Sequence, residues 1–585
     1  MKANAARIAQ DDPCRPRHYR PVPCAPAPAE GPAQEALEIS HTRLLVTAAL
    51  FVLAFAVIAG RLIEVAGFKA GDNHLARFHP AARAYAARAD IVDRNGVLLA
   101  TTLEVSSLSA NPKLIAAADK ADAAHRLAAI LPELSESEIF GRLASDKSFV
   151  WLARQLTPRQ KFAVIQLGIP GLAFESEGKR VYPKGDLAAH VVGYSGIDND
   201  GLAGIERSFD DVLKSRDEPV RLSLDVRLQY ILRSELARQM AEFSAIGAAG
   251  LILDVRTGEV MALSSLPDFD PSNPGAKPDA IFDRATLGIY EMGSVMKIFN
   301  TAMALDDKVV TFDSKFDATK PIEIAGFTIH DDHAQKRWLT VPEIFMYSSN
   351  IGSAKMAAEA GADRQRDFLG RLGLLQAPAF ELPELGTPQV PHPWLPISVM
   401  TVGFGHGISV SPLQVAAAAA AVVNGGTLYA PTIVMHPGGA APQGKTVLSA
   451  QTSEQMRRLL RLVVEHGTGK NAEAPGYLVG GKTGTAEKIV HGRYAPHALI
   501  SSFLGVFPIN DPRFLVLVML DEPHGNAKTG GYATGGMVAA PAVKRIVERM
   551  APIVGIQPVD EDSPEIRRSL MVGLPSPQGR KLAAN

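Results

Sequence analysis

Three short groups of hydroxyl, amide and amino side chains follow one another along the chain. They are Ser294 and Lys297 in S-x-x-K, Ser348 and Asn350 in S-x-N, and Lys482, Thr483, Gly484 and Thr485 in K-T-G-T. A serine hydroxyl attacks an acyl carbonyl when a neighbouring base accepts its proton, and a lysine amine is such a base once burial lowers its pKa. The groups therefore predict an acyl-transfer enzyme with Ser294 as nucleophile and Lys297 as base.

Each group alone is a weak signal, because all three patterns recur elsewhere in the chain. Second copies occur at Ser176 to Lys179, Ser109 to Asn111 and Lys528 to Gly530. Gly178 and Pro183 disfavour a helix around Ser176, and the His-Gly-Asn before Ala527 is typical of a solvated loop. Only the first set stands in order beside apolar segments, and that joint context predicts a site.

The segment after Ser294 predicts how this serine is presented. Its apolar residues recur at helical spacing: Ile298, Phe299, Ala302 and Met303. They predict a buried helix with Ser294 in the first turn, near unpaired N–H groups and the positive end of the dipole, and Lys297 on the same face. The alternative is that Ser294 only caps the helix and Lys297 reaches solvent, just as Ser348 and Asn350 could simply start another helix.

Composition sets limits on the function. The 585 residues are 46% hydrophobic and 21% charged with a net charge of -1, which is typical of a globular protein and gives no reason to expect a nucleic-acid partner. Cys14 and Cys24 are the only cysteines, so the chain beyond them holds neither a disulfide nor a thiolate zinc site. The cluster His330-Asp331-Asp332-His333 fits no strong metal motif, so we predict no metal and no cofactor.

One apolar stretch is long enough to predict that the protein is attached to a membrane. Residues 44–60 carry no charge and continue past Arg61, which predicts an uncleaved transmembrane anchor over 44–65 after a flexible tail of residues 1–43. A buried core helix and a cleaved signal peptide are the alternatives. Arg43 stands before the stretch and three basic residues follow it, so charge does not settle the orientation.

The rest of the chain predicts two folded units and a polar tail. Asn95-Gly96 predicts a hairpin over residues 89–100, within a mixed domain of residues 66–220. A second domain, residues 221–556, begins with a helix capped by Asp225. Its predicted strands are residues 248–253, 260–264, 498–507 and 514–520, with a closing helix over 539–550. Strands at both ends predict one α/β unit whose distant strands share a sheet, followed by a tail over residues 557–585.

The motifs and five further segments resemble the class B penicillin-binding proteins. These segments are RADIVDRNGVLLA (88–100), RVYPKGDLAAHVVGY (180–194), GLAGIERSFDDVL (201–213), GFGHGISVSPLQVA (403–416) and GGMVAAPAV (535–543). The resemblance covers roughly residues 42–550, and the joint match is specific. Ala89 departs from the glycine usual in that family, and Met292 from the proline that many members have.

The resemblance implies a fold and a role for each site residue. The fold is an α/β (α+β) multidomain one, with a single N-terminal transmembrane helix, an elongated mixed pedestal, and a transpeptidase domain whose central antiparallel sheet is flanked by helices. Ser348 would relay a proton to the leaving amine, Asn350 would orient the substrate and Lys297, and Lys482 would add positive potential. The resemblance also implies that Thr483 and Thr485 bind the substrate carboxylate and that the N–H groups of Ser294 and Thr485 form an oxyanion hole.

Arg88, Arg180 and Glu206 match positions that hold the pedestal together by ion pairs. The implied function is a peptidoglycan D,D-transpeptidase of the septal, Gram-negative type, anchored in the inner membrane with its large domains in the periplasm, enriched at the division site and inhibited by β-lactams. Its implied partners are D-Ala-D-Ala stem peptides, the membrane, a polytopic glycan polymerase and other division proteins. The alternatives are an elongation-specific transpeptidase, a β-lactamase, and a β-lactam-binding receptor or scaffold without transpeptidase activity.

Overall fold

The computed structural model describes residues 46, 49–59, 88–216, 218–276, 278–436, 442–490 and 493–573. Residues 1–84 and residues 85–585 form two separate units. In the first unit, residues 49–59 are helical (α1). Among the residues described, no helix is both long and apolar enough to cross a membrane. The predicted tail (1–43), both cysteines and residues 44, 45, 47, 48 and 60–65 of the predicted anchor lie outside the described residues.

In the second unit the helices are α2 (Lys120–Ala128), α3 (Glu136–Leu143), α4 (Pro158–Gln166), α5 (Ala189–Val192), α6 (Gly204–Ser208), α7 (Asp210–Ser215), α8 (Val226–Glu242), α9 (Lys297–Asp306), α10 (Val341–Tyr347), α11 (Asn350–Ala360), α12 (Ala362–Arg371), α13 (Pro396–Val402), α14 (Pro412–Val423), α15 (Ala450–His466), α16 (Gly535–Val538), α17 (Ala540–Met550) and α18 (Pro564–Leu570). The strands are β1 (Ile91–Val92), β2 (Leu98–Ala110), β3 (Val150–Leu156), β4 (Leu172–Val181), β5 (Val220–Arg221), β6 (Gly247–Asp254), β7 (Val260–Leu266), β8 (Lys315–Asp317), β9 (Ile322–Ile324), β10 (Phe327–Ile329), β11 (Trp338–Thr340), β12 (Thr427–Tyr429), β13 (Gly444–Thr446), β14 (Gly480–Val490), β15 (Arg493–Phe507) and β16 (Phe514–Asp521).

The pedestal, the described part of the second unit before β5, is built on the long strand β2. β3 and β4 both pair with β2, and β1 joins β2 to β5. Ile91 lies opposite Ala100, and Gly96 takes a φ of +83° in the turn between β1 and β2, so the predicted hairpin is confirmed. A separate apolar core lies between the sheet and α2, α3 and α4.

A buried ionic network ties three pedestal segments together. Arg88 Nε lies 2.5 Å and Arg180 Nε 2.7 Å from the two carboxylate oxygens of Glu206. Arg88 also reaches Asp210 at 2.6 Å. The Arg88 and Glu206 side chains are fully buried, so each charge depends on its partners for stabilisation. The structure thus pairs the three residues that the resemblance predicted to pair.

One antiparallel sheet forms the centre of the domain that follows the pedestal. Its strand order is β14-β15-β16-β6-β7. All eight residues of β16 are buried. Leu515, Leu517 and Met519 face one apolar core, and the residues that alternate with them face the other. A strand covered on both faces must be apolar throughout, which explains the unbroken run that predicted it. The prediction that distant strands share a sheet is confirmed, because β6 pairs with β16.

Helices cover both faces of this sheet. α8 begins after Asp225, whose carboxylate accepts a hydrogen bond from the Arg227 N–H as predicted, and it packs with α17 on one face. α9 and α15 contribute to the core on the other face. The buried position of α9 brings the turn before it against the sheet, and this turn carries Ser294.

Part of the predicted C-terminal tail is folded. α18 lies within it, and Ile566 and Leu570 pack against the main apolar core. Glu561 forms an ion pair with the buried Arg461 at 3.1 Å. The segment has the polar composition that predicted a tail because only one face of its short helix is apolar. Residues 574–585 lie outside the described part of the chain.

Candidate active site

Ser294 lies in a tight turn that leads into a buried helix. Residues Gly293–Met296 form a 3₁₀ turn, and α9 starts at Lys297. Gly293 and Val295 are buried, whereas Ser294 is partly exposed. The residue that caps the turn is Met292, with no side-chain cap hydrogen bond. The alternative that Ser294 is a plain helix cap is therefore wrong, and the residue is partly open to solvent.

Lys297 is fully buried, which contradicts the alternative of a solvent-exposed lysine. Its Nζ donates to the Ser348 carbonyl at 2.5 Å, to Asn350 Oδ1 at 2.7 Å and to Ser348 Oγ at 3.1 Å. Burial lowers the pKa of Lys297 to about 7, although the charges of Asp331 and Asp332 act in the opposite direction. A substantial fraction of the amine is consequently neutral near pH 7 and able to accept a proton.

Ser348 sits in a kink between two helices. α10 ends at Tyr347, Ser348 takes the left-handed conformation with φ 60° and ψ 41°, and Ser349 caps α11 by accepting a hydrogen bond from Gly352 N. A left-handed conformation costs a non-glycine residue about 1–2 kcal/mol. Strain of this kind persists only where surrounding contacts enforce it, and here it turns the Ser348 hydroxyl toward both lysines.

Lys482 approaches the same hydroxyl from the sheet. It is fully buried on β14, and its Nζ donates to Ser348 Oγ at 2.9 Å. Burial, and then the charge of Lys297, hold the pKa of Lys482 well below its usual value. Two amines thus share one serine hydroxyl, so a proton can pass between them through Ser348.

β14 packs directly on the nucleophile turn. A Cβ on Gly484 would lie 2.6 Å from the Met292 carbonyl, and a Cβ on Gly293 would lie 2.4 Å from the Thr485 carbonyl. Glycine at both positions therefore permits the backbone of Thr485 to reach the turn that carries Ser294. This contact brings together the two residues whose N–H groups were predicted to form an oxyanion hole.

The two threonines of the K-T-G-T motif are held by their hydroxyl groups. Thr483 Oγ1 lies 2.8 Å from Thr468 Oγ1, and Thr485 Oγ1 accepts a hydrogen bond from Gly535 N at 3.1 Å. Sequence reasoning missed Thr468. Its signal was a threonine between two glycines, Gly467 and Gly469, which occurs too often in loops to single out a site.

A second contact to the turn also escaped sequence reasoning. Glu291 accepts hydrogen bonds from Gly407 N at 2.7 Å and from the Tyr494 hydroxyl at 3.1 Å, so it connects the GFGHG loop and β15 to the turn. His406 packs beside Tyr494, and burial together with the charge of Lys297 lowers the pKa of His406 to about 4. The histidine is therefore neutral near pH 7.

The second copies of the motifs lie elsewhere in the fold. Ser176 is part of β4, and Ser109 is part of β2, both in the pedestal. Lys528 is exposed in a 3₁₀ turn and pairs with Glu242 at 3.0 Å. The predictions that Ser176 is not helical and that Lys528 is solvated are confirmed.

All eight predicted site residues lie on the turn before α9 and its first residue, on the kink before α11 and its first residue, or on β14. The arrangement places a partly exposed serine beside a buried amine of lowered pKa, and a second serine hydroxyl that accepts hydrogen bonds from that amine and from another one. In the residues that the structure describes, no group of three or more His, Cys, Asp or Glu side chains could hold a metal ion. The chemistry that these groups support is serine-based acyl transfer.

The chain matches two protein families. The Penicillin binding protein transpeptidase domain matches residues 248–548, and the Penicillin-binding Protein dimerisation domain matches residues 83–240. A relative in Caulobacter vibrioides, the probable peptidoglycan D,D-transpeptidase FtsI, is 41% identical over 80% of this chain and 82% of its own length. The peptidoglycan D,D-transpeptidase FtsI of Escherichia coli is 29% identical over 80% of this chain and 84% of its own.

A solved structure extends the similarity to three dimensions. Penicillin binding protein 3 of Mycobacterium tuberculosis, in complex with aztreonam, superposes with a TM-score of 0.64 at 27% identity. The match covers 81% of this chain and 98% of that protein.

Proposed function

Because this chain belongs to the class B penicillin-binding proteins and has their two-domain fold, we propose that it is a peptidoglycan D,D-transpeptidase that cross-links stem peptides at the division septum. It is a serine-type acyl-transfer enzyme. The proposal depends most on one observation: the amines of Lys297 and Lys482 both donate to the Ser348 hydroxyl.

Acylation begins with a proton transfer. Neutral Lys297 accepts the proton of Ser294 Oγ, and the oxygen attacks the carbonyl carbon of the penultimate D-Ala of a stem peptide. The N–H groups of Ser294 and Thr485 stabilise the resulting oxyanion, a contribution of about 3 kcal/mol per donor in other acyl-transfer enzymes. Thr483 and Thr485 bind the terminal carboxylate of the substrate, and Lys482 adds positive potential.

The leaving group takes a proton as the peptide bond breaks. Lys297 returns the proton through Ser348 Oγ to the departing D-Ala amine, and an ester remains on Ser294. An amine of a neighbouring strand then attacks this ester and gives up its proton by the reverse route, which forms the cross-link and restores the Ser294 hydroxyl. A β-lactam acylates the same oxygen by ring opening, and its amine stays attached to the adduct.

The septal role has support in the names of two relatives, both FtsI. We further propose an inner-membrane anchor, large domains in the periplasm, and contacts with a polytopic glycan polymerase and other division proteins. A functional fluorescent fusion is expected at midcell, whereas an even lateral distribution would favour the elongation role.

The central test uses covalent labelling by a fluorescent penicillin. Ser294→Ala is expected to abolish the labelled band, whereas Ser176→Ala, in the second S-x-x-K copy, is expected to label like the wild type. Labelling of Ser294→Ala at the wild-type rate would refute the assigned nucleophile. Rapid release of hydrolysed penicillin would favour a β-lactamase, and acylation without processing of any D-Ala-D-Ala donor would favour a receptor.

A further inference from the structure

One carboxylate beside the kink has no part in the mechanism given above. Asp331 follows β10 in the segment that leads to β11. It belongs to the His330–His333 cluster that was considered, and set aside, as a metal site. Its oxygens point instead at the start of α11, the helix that carries Asn350.

Asp331 accepts three hydrogen bonds from two residues at the start of α11, its cap and its second residue. Ser349 Oγ donates to its two oxygens at 2.8 and 3.1 Å, and Ile351 N donates to Oδ1 at 2.9 Å. Ser349 Oγ also accepts from Gly352 N at 3.0 Å, so its hydroxyl hydrogen is directed to Asp331. Ser349 is 2% exposed, so solvent cannot readily replace this partner.

These bonds fix the residues on either side of Ser349. Ser348 precedes it in the strained left-handed conformation, and Asn350 follows it. All three oxygens that receive hydrogen bonds from Lys297 belong to Ser348 and Asn350. A shift of the kink would therefore misplace every one of these acceptors at once.

The neighbouring segment supports the same geometry through its backbone. Asn350 Nδ2 donates to the His330 carbonyl at 3.0 Å, which leaves Asn350 Oδ1 facing Lys297. Asp332 is exposed, and within the described residues its carboxylate accepts no hydrogen bond. Two adjacent aspartates thus carry the same charge near Lys297, but only Asp331 contacts the kink.

We infer that Asp331 is a positioning residue for acyl transfer. Its carboxylate holds Ser349 and Ile351 as a clamp and so keeps Ser348 and Asn350 within hydrogen-bonding distance of Lys297. This inference rests on the proposed function. Asp331 touches neither the nucleophile nor the reacting carbonyl, and it acts through the kink alone.

Charge and geometry can be separated by measuring acylation against pH. Asp331 and Asp332 act on the pKa of Lys297, and Lys297 in turn lowers the pKa of Lys482 on β14 and of His406 in the GFGHG loop. Both aspartates favour the protonated form of Lys297. Removing either charge therefore moves the midpoint of the acylation profile to lower pH, whereas only loss of the clamp lowers the plateau reached at high pH.

The experiment compares Asp331→Asn with the matched variant Asp332→Asn. The limiting acylation rate constant is measured at saturating fluorescent penicillin and counted per molecule that becomes labelled, so partial misfolding does not alter it. Asp331→Asn is expected to lower the plateau about 10- to 100-fold, since small displacements of catalytic groups have effects of that size. Asp332→Asn is expected to shift the midpoint and keep the wild-type plateau.

Ser349→Ala gives an independent test of the clamp. It should lower the plateau as Asp331→Asn does, and the double variant should be little worse than either single one, because both remove the same interaction. An unchanged plateau in Asp331→Asn, or equal losses in Asp331→Asn and Asp332→Asn, would overturn the inference. Failure of the wild type to react at all would instead refute the proposed function.

Discussion

The pedestal and the active site both bury charged side chains, but they satisfy them differently. In the pedestal, the guanidinium groups of Arg88 and Arg180 meet the carboxylate of Glu206. In the catalytic domain, Lys297 and Lys482 are equally buried, yet they hydrogen-bond to hydroxyl, carbonyl and amide oxygens.

The contrast shows two ways to relieve the cost of burying charge. An opposite charge compensates the guanidinium groups, which cannot lose a proton, so the pedestal network remains ionic and joins distant segments. Neutral oxygens compensate an ammonium only in part, so the lysines give up protons more readily. The first solution joins segments of the fold, and the second lowers the pKa of a lysine toward the range that a general base requires.

Removing the base should have the largest effect. Lys297→Met keeps an apolar side chain of similar length in the buried site but removes the amine. The second-order acylation rate constant for a fluorescent penicillin is expected to fall by about 10²–10⁴-fold, the usual contribution of a general base. Lys528→Met, in the exposed second copy of the K-T-G motif, should react at the wild-type rate. A Lys297→Met rate within a factor of two of the wild type would contradict the role of the amine.

Breaking the pedestal network should change stability and leave the chemistry intact. Glu206→Gln removes the shared anion and leaves Arg88 and Arg180 without their main partner, which is expected to cost about 3–5 kcal/mol in the free energy of unfolding. The measurement is denaturant-induced unfolding. Glu136→Gln, which removes an exposed pedestal pair with His125, is the control and should unfold like the wild type. If Glu206→Gln slowed acylation of the folded molecules without lowering the free energy of unfolding, the network would serve catalysis and not stability, contrary to this prediction.

The third prediction concerns the pH dependence of acylation and has the smallest effect near neutrality. Because the pKa of Lys297 is about 7 and its neutral form is the base, the rate should rise about tenfold per pH unit below pH 7 and level off above it. The sign for stability follows from the same pKa. Between about pH 7 and 10 the unfolded chain binds a proton on this lysine that the folded chain does not, so the contribution of Lys297 to stability increases with pH. An acylation profile that stays flat from about pH 5.5 to 8 would contradict this assignment.

The predictable parts of the fold are those that depend on local sequence patterns. The apolar run of β16 and the helical spacing of Leu228, Ile231 and Leu232 in α8 depend on burial along one element. Asp225 caps its helix from a neighbouring position, and Gly96 sits in a two-residue turn. In each case the residues that form the pattern lie within a few positions of the element that they predict.

The parts that were missed depend on contacts between distant segments. Thr468 meets Thr483 from 15 positions away, and Asp331 meets Ser349 from 18. Thr468 has no unusual type or spacing, and Asp331 was considered only as part of a possible metal cluster. The packing of the loops around β14 and α11 brings each of them to its partner. The helix α18 was missed for a related reason, since its two apolar residues gain meaning only against the main core.

The order of strands in the central sheet has a consequence for how the enzyme is made. β6 and β7 are synthesised more than two hundred residues before β16, which must lie between β6 and β15 to complete the sheet. Such pairings between remote segments form slowly, and until they form the early hairpin presents an unpaired edge. A ribosome must therefore extend the chain through residue 521 before the sheet beside the active site can close, and we expect a nascent chain that stops short of residue 514 to be both inert and prone to aggregate.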